Sequence, residues 1–531
     1  MIRTIPDALS HAAERFGSSS AIEEGDVRLD FESLATSAEK AARGFLAAGI
    51  HRGDRIAIWA PNIHEWIVAA IGLQSVGAIL VPLNTRLKKN EAAYILEKSG
   101  ARLLLTVTDF LGVDYVEEIR DVAPPTLEGI ITLRGSSPPA TSWAHFLTAG
   151  EAVSASEARE RARSVSPDDL SDIMFTSGTT GKPKGVMTTH AQTIRVFLAW
   201  SDLVGLREGD RYLIVNPFFH TFGYKAGWLA CLLRGATALP QIVFDVPQVL
   251  ARVGTEKVSV LPGPPALYQS LLAHPDLGSY DISALRLAVT GAAPTPVELI
   301  RRMRDELGFE TVLTAYGLTE SCGTVSCCRQ EDDAETIATT SGRAIEDVEV
   351  RCVTASGSEV PRGEPGEILV RGYNVMKGYF EDPAATAETI DGEGWLHTGD
   401  VGIMDDRGYL RITDRIKDMF IMGGFNCYPA EIENLLFGSG RFAQVAVIGV
   451  PDERMGEVGM AFVVPAPRQT DVDEAAVIAW CRENMANYKV PRFVEVVSEL
   501  PANASGKITK FVLRDRAQEI LAQRRAPGAR Q

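Results

Sequence analysis

The chain has 531 residues, of which 45% are hydrophobic, and a formal net charge of −16 at pH 7. This length exceeds a single hydrophobic core and predicts about three or four compact units. The apolar content excludes global disorder, and the acidic balance disfavours a nucleic-acid-binding surface. The seven cysteines show no paired metal-binding spacing, so reduced thiols in a cytoplasmic protein are expected.

Neither a secretion signal nor a membrane span is predicted. The chain does not open with a basic segment followed by an apolar stretch. The longest apolar region, 66–83, is interrupted by Gln74, Ser75 and two glycines. We therefore expect no integral membrane segment.

The first three hundred or so residues alternate helical and strand-like segments. Helical spacing of apolar residues covers 5–16 and 31–45, and further helices are predicted after Asn62 and over 91–98. The strand-like runs are 55–59, 78–81, 103–107, 172–175, 212–215, 258–261, 287–290 and 312–315. Such alternation predicts parallel βαβ units.

The pattern changes in the C-terminal part of the chain. Over about 345–414, short strands broken by Gly, Pro and Asp predict a small β subdomain. Beyond it, strands near 445–450, 462–464 and 493–497 accompany a helix over 474–484. We predict an α/β protein with a large N-terminal domain over 1–414, built of parallel βαβ subdomains plus the β subdomain, and a small α+β domain over 415–531.

The segment 176–185, Thr-Ser-Gly-Thr-Thr-Gly-Lys-Pro-Lys-Gly, directly follows a predicted strand. Its glycines let successive backbone N–H groups face one anion, and its lysines add positive charge, so phosphate is the expected ligand. A Walker A loop needs Gly-x-x-x-x-Gly-Lys-Ser/Thr. Thr176 stands where the first glycine would be, and Pro183 follows Lys182. A P-loop NTPase or a kinase is therefore disfavoured.

Three further segments have residue types that can contact a flat ring, a cation or hydroxyl groups. The segment 290–294 follows a strand, and its small residues leave room for a flat base beyond the strand's carboxyl end. The segment 314–320, Thr-Ala-Tyr-Gly-Leu-Thr-Glu, offers an aromatic face and a hard carboxylate ligand for Mg²⁺. The segment 394–400 ends in Asp400, whose carboxylate can accept two hydroxyl groups.

In order and spacing, these segments and the Ser-Gly-Lys turn at 505–507 resemble the motifs of the adenylate-forming superfamily. That family includes acyl-CoA synthetases, adenylation domains of peptide synthetases and luciferases. The resemblance implies ATP, Mg²⁺, coenzyme A and a small-molecule carboxylate as ligands. It also implies that the C-terminal domain is mobile and swings about a hinge at Lys417 between two half-reactions.

The resemblance implies a role for individual residues. Catalysis is expected from Lys507, Glu320 and Thr176, and Glu320 is also the expected metal ligand. Tyr316 is expected to stack on adenine, Thr319 to contact the α-phosphate, and Asp400 with Arg415 to bind ribose. The complete set expected to bind nucleotide or CoA is Ser177, Gly178, Thr179, Thr180, Lys184, Gly291, Ala292, Ala293, Tyr316, Gly317, Thr319, Asp400, Arg415 and Gly424.

The residues expected to contact the acid are His220, Tyr224, Lys225 and Gly263. Lys225 departs from the apolar residues of a long-chain fatty-acid tunnel, and an unpaired ammonium would favour a ring ketone over an alkyl chain. The runs 216–227, 261–265 and 289–293 resemble actinobacterial acyl-CoA ligases of steroid and cholesterol catabolism. This resemblance implies the propanoate side chain of a methylhexahydroindanedione ring remnant as the acid.

Other functions remain open. The alternatives are a medium- or long-chain fatty acid–CoA ligase and a stand-alone adenylation enzyme that loads a separate carrier protein. The short segment after Lys507 leaves no room for a carrier domain, so the thiol acceptor is expected to be a separate molecule. A nucleotide-binding regulator without catalysis is disfavoured, because a mere binder has little use for Lys507. No nucleic-acid partner is expected, and a homodimer is compatible with the sequence.

Overall fold

The computed structural model describes residues 2–177, 182–291, 295–354, 356–415, 420–427, 429–466, 469, 472–501, 508 and 510–525. The chain divides into two compact units. The first consists of Met1–Thr85, Ala92–Thr176 and Lys184–Asp414. The second consists of Arg86–Glu91, Ser177–Pro183 and Arg415–Gln531.

The largest sheet has eight strands and provides the strand that leads to Thr176. Its spatial order is Gly378–Tyr379, Pro183–Thr189, Leu170–Ser177, Ile79–Pro82, Arg55–Trp59, Leu103–Val107, Gly129–Arg134 and Thr141–Ser142. The strands from Leu170–Ser177 to Thr141–Ser142 pair in parallel. Parallel sheets are covered on both faces, which explains why Ile56, Ala57 and Ile58 are fully buried.

Two four-stranded sheets lie on either side of Val260. One has the order Arg211–Ile214, Thr237–Pro240, Ser20–Glu24 and Val27–Asp30, and the other Leu287–Gly291, Thr311–Tyr316, Ser326–Cys327 and Arg343–Ala344. Val260 forms parallel bridges with Tyr212 on one side and Leu287 on the other. The carboxyl ends of these neighbouring segments therefore meet at one edge.

The run 258–261, predicted as a strand, is reduced to this bridge at Val260. Pro262, Pro264 and Pro265 follow closely, and proline supplies no N–H for a strand ladder. The other seven strand-like runs predicted before residue 320 are strands in the structure.

The predicted β subdomain is an antiparallel sheet of four strands. Its order is Val348–Val353, Pro365–Gly372, Leu396–Met404 and Leu410–Arg415. The pairing brings Val370 opposite both Val350 and Leu396. The Leu396–Met404 strand positions Asp400.

Helices cover the sheets in the part of the chain before residue 415. Their apolar faces are buried, as in Ile5–Phe16, where Thr4 and Asp7 also form a capping box. The helices are Ile5–Phe16, Phe31–Ala47, His64–Ser75, Lys89–Ser99, Tyr115–Arg120, Trp143–Ala149, Ala155–Arg163, His190–Val204, Thr221–Gly223, Tyr224–Leu229, Ala230–Arg234, Val246–Thr255, Pro265–Leu272, Val297–Asp305, Ala334–Thr339 and Pro383–Thr389.

The second unit contains a sheet of five strands. The order is Phe425–Cys427, Phe420–Met422, Gly456–Pro465 and Phe442–Asp452, with Phe493–Val496 paired in parallel to Gly456–Pro465. The helices are Pro429–Gly438, Glu474–Asn484 and Lys510–Arg525. The last helix was not predicted, although Leu513, Ala517 and Leu521 recur every four residues and are buried in the core of this unit.

All seven cysteines are buried and unpaired, as predicted for reduced thiols. Burial raises the pKa of the Cys481 thiol to about 12, so this thiol stays protonated and packs as a small apolar side chain. In the described part of the chain, no helix has the length and apolar character needed to cross a bilayer.

Candidate active site

Two of the predicted nucleotide-binding segments end neighbouring parallel strands. Gly291 lies opposite Ala315 in the register of Leu287–Gly291 and Thr311–Tyr316. A Cβ atom at Gly291 would lie 2.9 Å from the carbonyl oxygen of Ala315, so a side chain is not tolerated there. Ligands bind beyond the carboxyl ends of parallel strands, and this edge therefore presents both segments to one ligand.

The carboxylate of Glu320, which follows the strand Thr311–Tyr316, contacts side chains of the eight-stranded sheet. Its Oε1 accepts a hydrogen bond from the Tyr379 hydroxyl at 2.9 Å and a longer one from the Thr176 hydroxyl at 3.5 Å. The ammonium of Lys184 lies 5.1 Å from the centre of the Tyr379 ring. One carboxylate, two hydroxyls and one ammonium thus lie together at the start and the end of the phosphate-loop segment.

The turn that holds Glu320 depends on close backbone packing. Thr319–Ser321 forms a short 3-10 helix. A Cβ atom at Gly317 would lie 2.2 Å from the carbonyl oxygen of Gly323, so only glycine fits where the turn closes. The backbone carbonyl of Glu320 also accepts from the Met376 N–H at 2.8 Å. These contacts fix the direction of the carboxylate.

Tyr316 and Asp400 are in direct contact. The Tyr316 hydroxyl donates to Asp400 Oδ2 at 2.6 Å. The Asp400 side chain is buried, and its backbone N–H donates to the Thr398 hydroxyl at 3.1 Å. An aromatic ring and an acceptor carboxylate are therefore adjacent, as a nucleoside site requires.

His220 caps the short helix Thr221–Gly223. Its Nδ1 accepts from the Phe222 N–H at 3.2 Å, which leaves Nε2 as the protonated nitrogen of the neutral ring. The residue is exposed to solvent, but the protein atoms around the ring desolvate its charged form and lower the pKa of His220 to about 4. Thr221 packs against Gly323, which brings the histidine segment to the Glu320 turn.

Lys225 is not an unpaired ammonium. Its Nζ lies 3.0 Å from Asp172 Oδ1, and both side chains are inaccessible to solvent. Burial alone would lower the pKa of Lys225, but the charge of Asp172 raises it above its ordinary value. The reason for expecting a substrate ketone at Lys225 therefore does not hold, because a carboxylate already neutralises it.

Tyr224 is also fully buried, where it stacks on Trp228 with ring centres 5.0 Å apart. Its hydroxyl accepts from Gln74 Nε2 at 2.8 Å. Tyr224 therefore packs within the aromatic core of the first unit, and its place in the pocket wall stays a prediction.

The three runs expected to shape the acid pocket are in contact with one another. Asn216 donates from Nδ2 to the carbonyl of Pro262 at 3.1 Å. The N–H of Gly263 donates to the carbonyl of Val289 at 3.0 Å. These hydrogen bonds join the segments 216–227, 261–265 and 289–291 at the same sheet edge.

Family models match both parts of the chain. The model of the AMP-binding enzyme family matches residues 9–380, and that of the AMP-binding enzyme C-terminal domain matches residues 431–507. The chain belongs to the AMP-binding enzyme family.

Individual AMP-binding enzymes match over almost the full length. A 7a-methyl-1,5-dioxo-octahydro-1H-inden-4-yl propanoyl:CoA ligase of Rhodococcus jostii is 51% identical, over 96% of this chain and 98% of the relative. A ligase of the same name from Mycobacterium tuberculosis is 47% identical, over 97% of this chain and 99% of the relative.

Among solved structures, an o-succinylbenzoate CoA synthetase of Bacillus subtilis, bound with a product analogue, matches with a TM-score of 0.79. It is 28% identical to this chain and covers 96% of it, with 98% of its own chain matched. The chain thus has the adenylate-forming fold and is an AMP-forming acyl-CoA ligase that uses ATP and CoA.

Several predicted site residues of this AMP-binding enzyme lie outside the described residues. They are Gly178, Thr179, Thr180, Ala292, Ala293, Lys417 and Lys507, together with the side chains of Ser177 and Arg415. Gly424 lies in the second unit, at the turn between the strands Phe420–Met422 and Phe425–Cys427, with a φ of +84° that favours glycine.

Sequence analysis missed two features of the site. Tyr379, which contacts Glu320, is 59 residues away in the chain and belongs to no motif. The pairing of Asp172 with Lys225 was missed too, although the sequence contained a signal for it. Asp172 interrupts a buried strand, and Lys225 interrupts an apolar helix. Opposite charges in two apolar segments indicate a buried ion pair.

Proposed function

We propose that this acyl-CoA ligase activates the propanoate side chain of a methyl-octahydroindene ring that bears two ketones. The observation that carries the proposal is the identity of 51% and 47%, over nearly complete chains, to two ligases named for that acid. The contacts among the segments 216–227, 261–265 and 289–291 support it, because hydrogen bonds join these runs and Thr221 packs against Gly323, close to the turn of Glu320.

The reaction has two half-reactions. An oxygen of the propanoate attacks the α-phosphorus of ATP, the bond to the β-phosphate oxygen breaks, and pyrophosphate leaves. The thiolate of CoA then attacks the acyl carbon, and the bond to AMP breaks. Both steps depend on positioning and charge stabilisation more than on covalent chemistry by the protein.

The described residues suit the first step. Lys184 and the Thr176 hydroxyl would bind phosphate oxygens, since both lie beside the start or end of the loop segment. Glu320 and the hydroxyl of Thr176 are hard oxygen donors of the kind that Mg²⁺ prefers. A bound Mg²⁺ would neutralise phosphate charge, and Glu320 is the residue that would hold it.

His220 would contact the acid. The neutral ring keeps its proton on Nε2, so it can donate a hydrogen bond to a carboxylate or ketone oxygen without adding charge. A neutral donor is consistent with a substrate that has both kinds of oxygen. By its resemblance to the family motif, the Ser-Gly-Lys segment at 505–507 would supply Lys507 to the α-phosphate and the substrate carboxylate.

The decisive experiment compares acids. We expect CoA-dependent AMP release with a higher kcat/KM for the indanedione propanoate than for octanoate or palmitate. A higher kcat/KM for either fatty acid would contradict the proposed substrate and leave the ligase chemistry intact. Formation of the thioester with free CoA would distinguish the enzyme from one that loads a carrier protein.

A further inference from the structure

A buried polar cluster lies behind the candidate active site. It consists of Asp172, Lys225, Thr188, Cys322, Ser171 and Thr193, all of which are buried. Lys225 Nζ donates to the Thr188 hydroxyl at 2.8 Å and to Cys322 Sγ at 3.6 Å, in addition to its ion pair with Asp172. The ammonium thus contacts three different segments of the chain.

Each of these segments leads directly to a site residue. Asp172 lies on the strand that ends at Thr176 and Ser177. Thr188 lies on the Pro183–Thr189 strand, which contains Lys184. Cys322 follows the turn of Glu320, where it adopts a left-handed φ of 57°. These three segments supply the proposed phosphate and metal contacts.

Lys225 itself belongs to the segment that follows His220. It lies in the π-helix Tyr224–Leu229, which directly follows the short helix that His220 caps. π-helices are rare in proteins. Those that occur as a single turn are often found at functional sites. Here the Lys225 ammonium reaches Asp172 while His220 remains accessible to solvent.

The carboxylate side of the pair is equally well fixed. Asp172 Oδ1 accepts from the Thr188 hydroxyl and Oδ2 from the Ser171 hydroxyl, each at 2.7 Å. A buried, hydrogen-bonded ion pair contributes little net stability, but removal of one partner leaves an uncompensated charge. The pair is therefore better suited to fixing geometry than to stabilising the fold.

We propose that the buried Asp172–Lys225 ion pair fixes the position of the phosphate-binding residues relative to the acid-binding segment. The inference rests on the proposed roles of Thr176, Lys184, Glu320 and His220. Loss of the ion pair should therefore affect the rate of adenylation. A small misplacement of the acid relative to ATP slows adenylation about 100-fold, whereas the binding of each substrate by itself should change little.

The test compares Lys225→Met with Arg286→Met. Arg286 forms a second, largely buried ion pair with Asp210, in which Nε donates to Oδ1 at 2.8 Å. This control pair lies at the amino ends of the strands Arg211–Ile214 and Leu287–Gly291, away from the edge that presents the site. Both variants remove a buried cation and leave a carboxylate, so both are expected to lower Tm.

We expect only Lys225→Met to lower kcat of ATP–pyrophosphate exchange, by about 100-fold, with KM for ATP and acid changed less than about threefold. Exchange is measured below both Tm values, with whichever acid the wild type uses fastest, so the result does not depend on the proposed substrate. An equal loss of kcat in Arg286→Met, or a loss in Lys225→Met confined to KM, would overturn the proposal.

The double variant Asp172→Asn/Lys225→Met separates stability from positioning. Because it leaves no unpaired buried charge, we expect it to recover most of the Tm lost in Lys225→Met. We expect kcat to stay low, since no ammonium joins Thr188 and Cys322 to the helix. Recovery of both Tm and kcat would overturn the positioning role. If Lys225→Met does not fold, kcat of the double variant tests the positioning role in its place.

Discussion

The Tyr316 hydroxyl donates a hydrogen bond to Asp400 Oδ2 across 2.6 Å, from the end of a parallel strand to the β subdomain. The predicted adenine-stacking ring therefore also orients the predicted ribose-binding carboxylate. A hydrogen bond to a charged group contributes about 1.5–3 kcal/mol. The relation predicts that the two residues act together on ATP.

Tyr316→Phe should raise KM for ATP about tenfold with little change in kcat. The ring that stacks on adenine remains, but the hydroxyl that orients Asp400 is lost. The effect corresponds to ~1.4 kcal/mol of uniform binding. Steady-state kinetics with varied ATP test it, and Tyr316→Ala, which also loses the ring, should show a larger increase. An unchanged KM in Tyr316→Phe would show that the hydrogen bond has no role in ATP binding.

Glu320→Gln should lower kcat of ATP–pyrophosphate exchange by about 10²–10³-fold and raise the Mg²⁺ concentration needed for half-maximal rate. The amide keeps an acceptor for the Tyr379 hydroxyl but removes the negative charge. Tyr379→Phe is the matched control, because it removes that hydrogen bond and keeps the carboxylate. If the Mg²⁺ requirement of Glu320→Gln equals that of the wild type, Glu320 is not the metal ligand.

The strands and the motif residues at their ends could be predicted from sequence, because both are local. Short apolar runs predicted Thr311–Tyr316 and Leu287–Gly291 within about one residue. Parallel topology places the carboxyl ends of these strands at the same edge, and in the structure Gly291 lies opposite Ala315 there. The family resemblance supplied the role of Glu320, which its contact with Thr176 supports geometrically.

The remaining features depend on contacts that local patterns do not encode. Lys225 was interpreted as a substrate contact because it follows His220 and departs from the apolar residues of a fatty-acid tunnel. The partner that decides its role, Asp172, lies on another element. Tyr379 reaches Glu320 from a two-residue strand at the sheet edge, too short for a periodic signal. The hinge at Lys417 and the domain boundary at 414–415 stay predictions.

The stability of the first unit should decrease as the pH falls from about 6.5 to about 4. His190 is fully buried, its Nδ1 accepts from the Ile5 N–H at 3.3 Å, and burial lowers its pKa from 6.5 to about 4. In that interval the unfolded chain binds a proton that the folded chain does not, so acidification favours unfolding. Above about pH 6.5 the contribution of His190 is fully present.

His190→Asn should make this pH dependence shallower, because asparagine keeps an acceptor near Nδ1 but does not titrate. Urea unfolding at pH 7, 6 and 5 measures the slope. The control is His145→Asn, at an exposed histidine, which should leave the slope unchanged. If His190→Asn and the wild type lose the same unfolding free energy between pH 7 and 5, His190 does not cause the dependence.

Lys417→Pro should separate the two half-reactions. Proline fixes φ near about −65° and would restrict the dihedral change that a hinge needs. We expect ATP–pyrophosphate exchange to continue and thioester formation from supplied acyl-adenylate to fail. A normal yield of acyl-CoA over a complete turnover would exclude this hinge position.

Lys507→Ala should affect the two half-reactions in the opposite way to Lys417→Pro. The family motif assigns this lysine to the substrate carboxylate and the α-phosphate, which react only in the first half. Loss of one preorganised charged donor slows a reaction by about 10²–10³-fold or more, so exchange should be abolished while CoA still reacts with supplied acyl-adenylate.

Lys510→Ala is a close control, because Lys510 begins the last helix and forms an ion pair with Glu433 at 2.7 Å. It should change neither half-reaction. If Lys507→Ala slows both half-reactions equally, the lysine has a structural role and is not an adenylation residue.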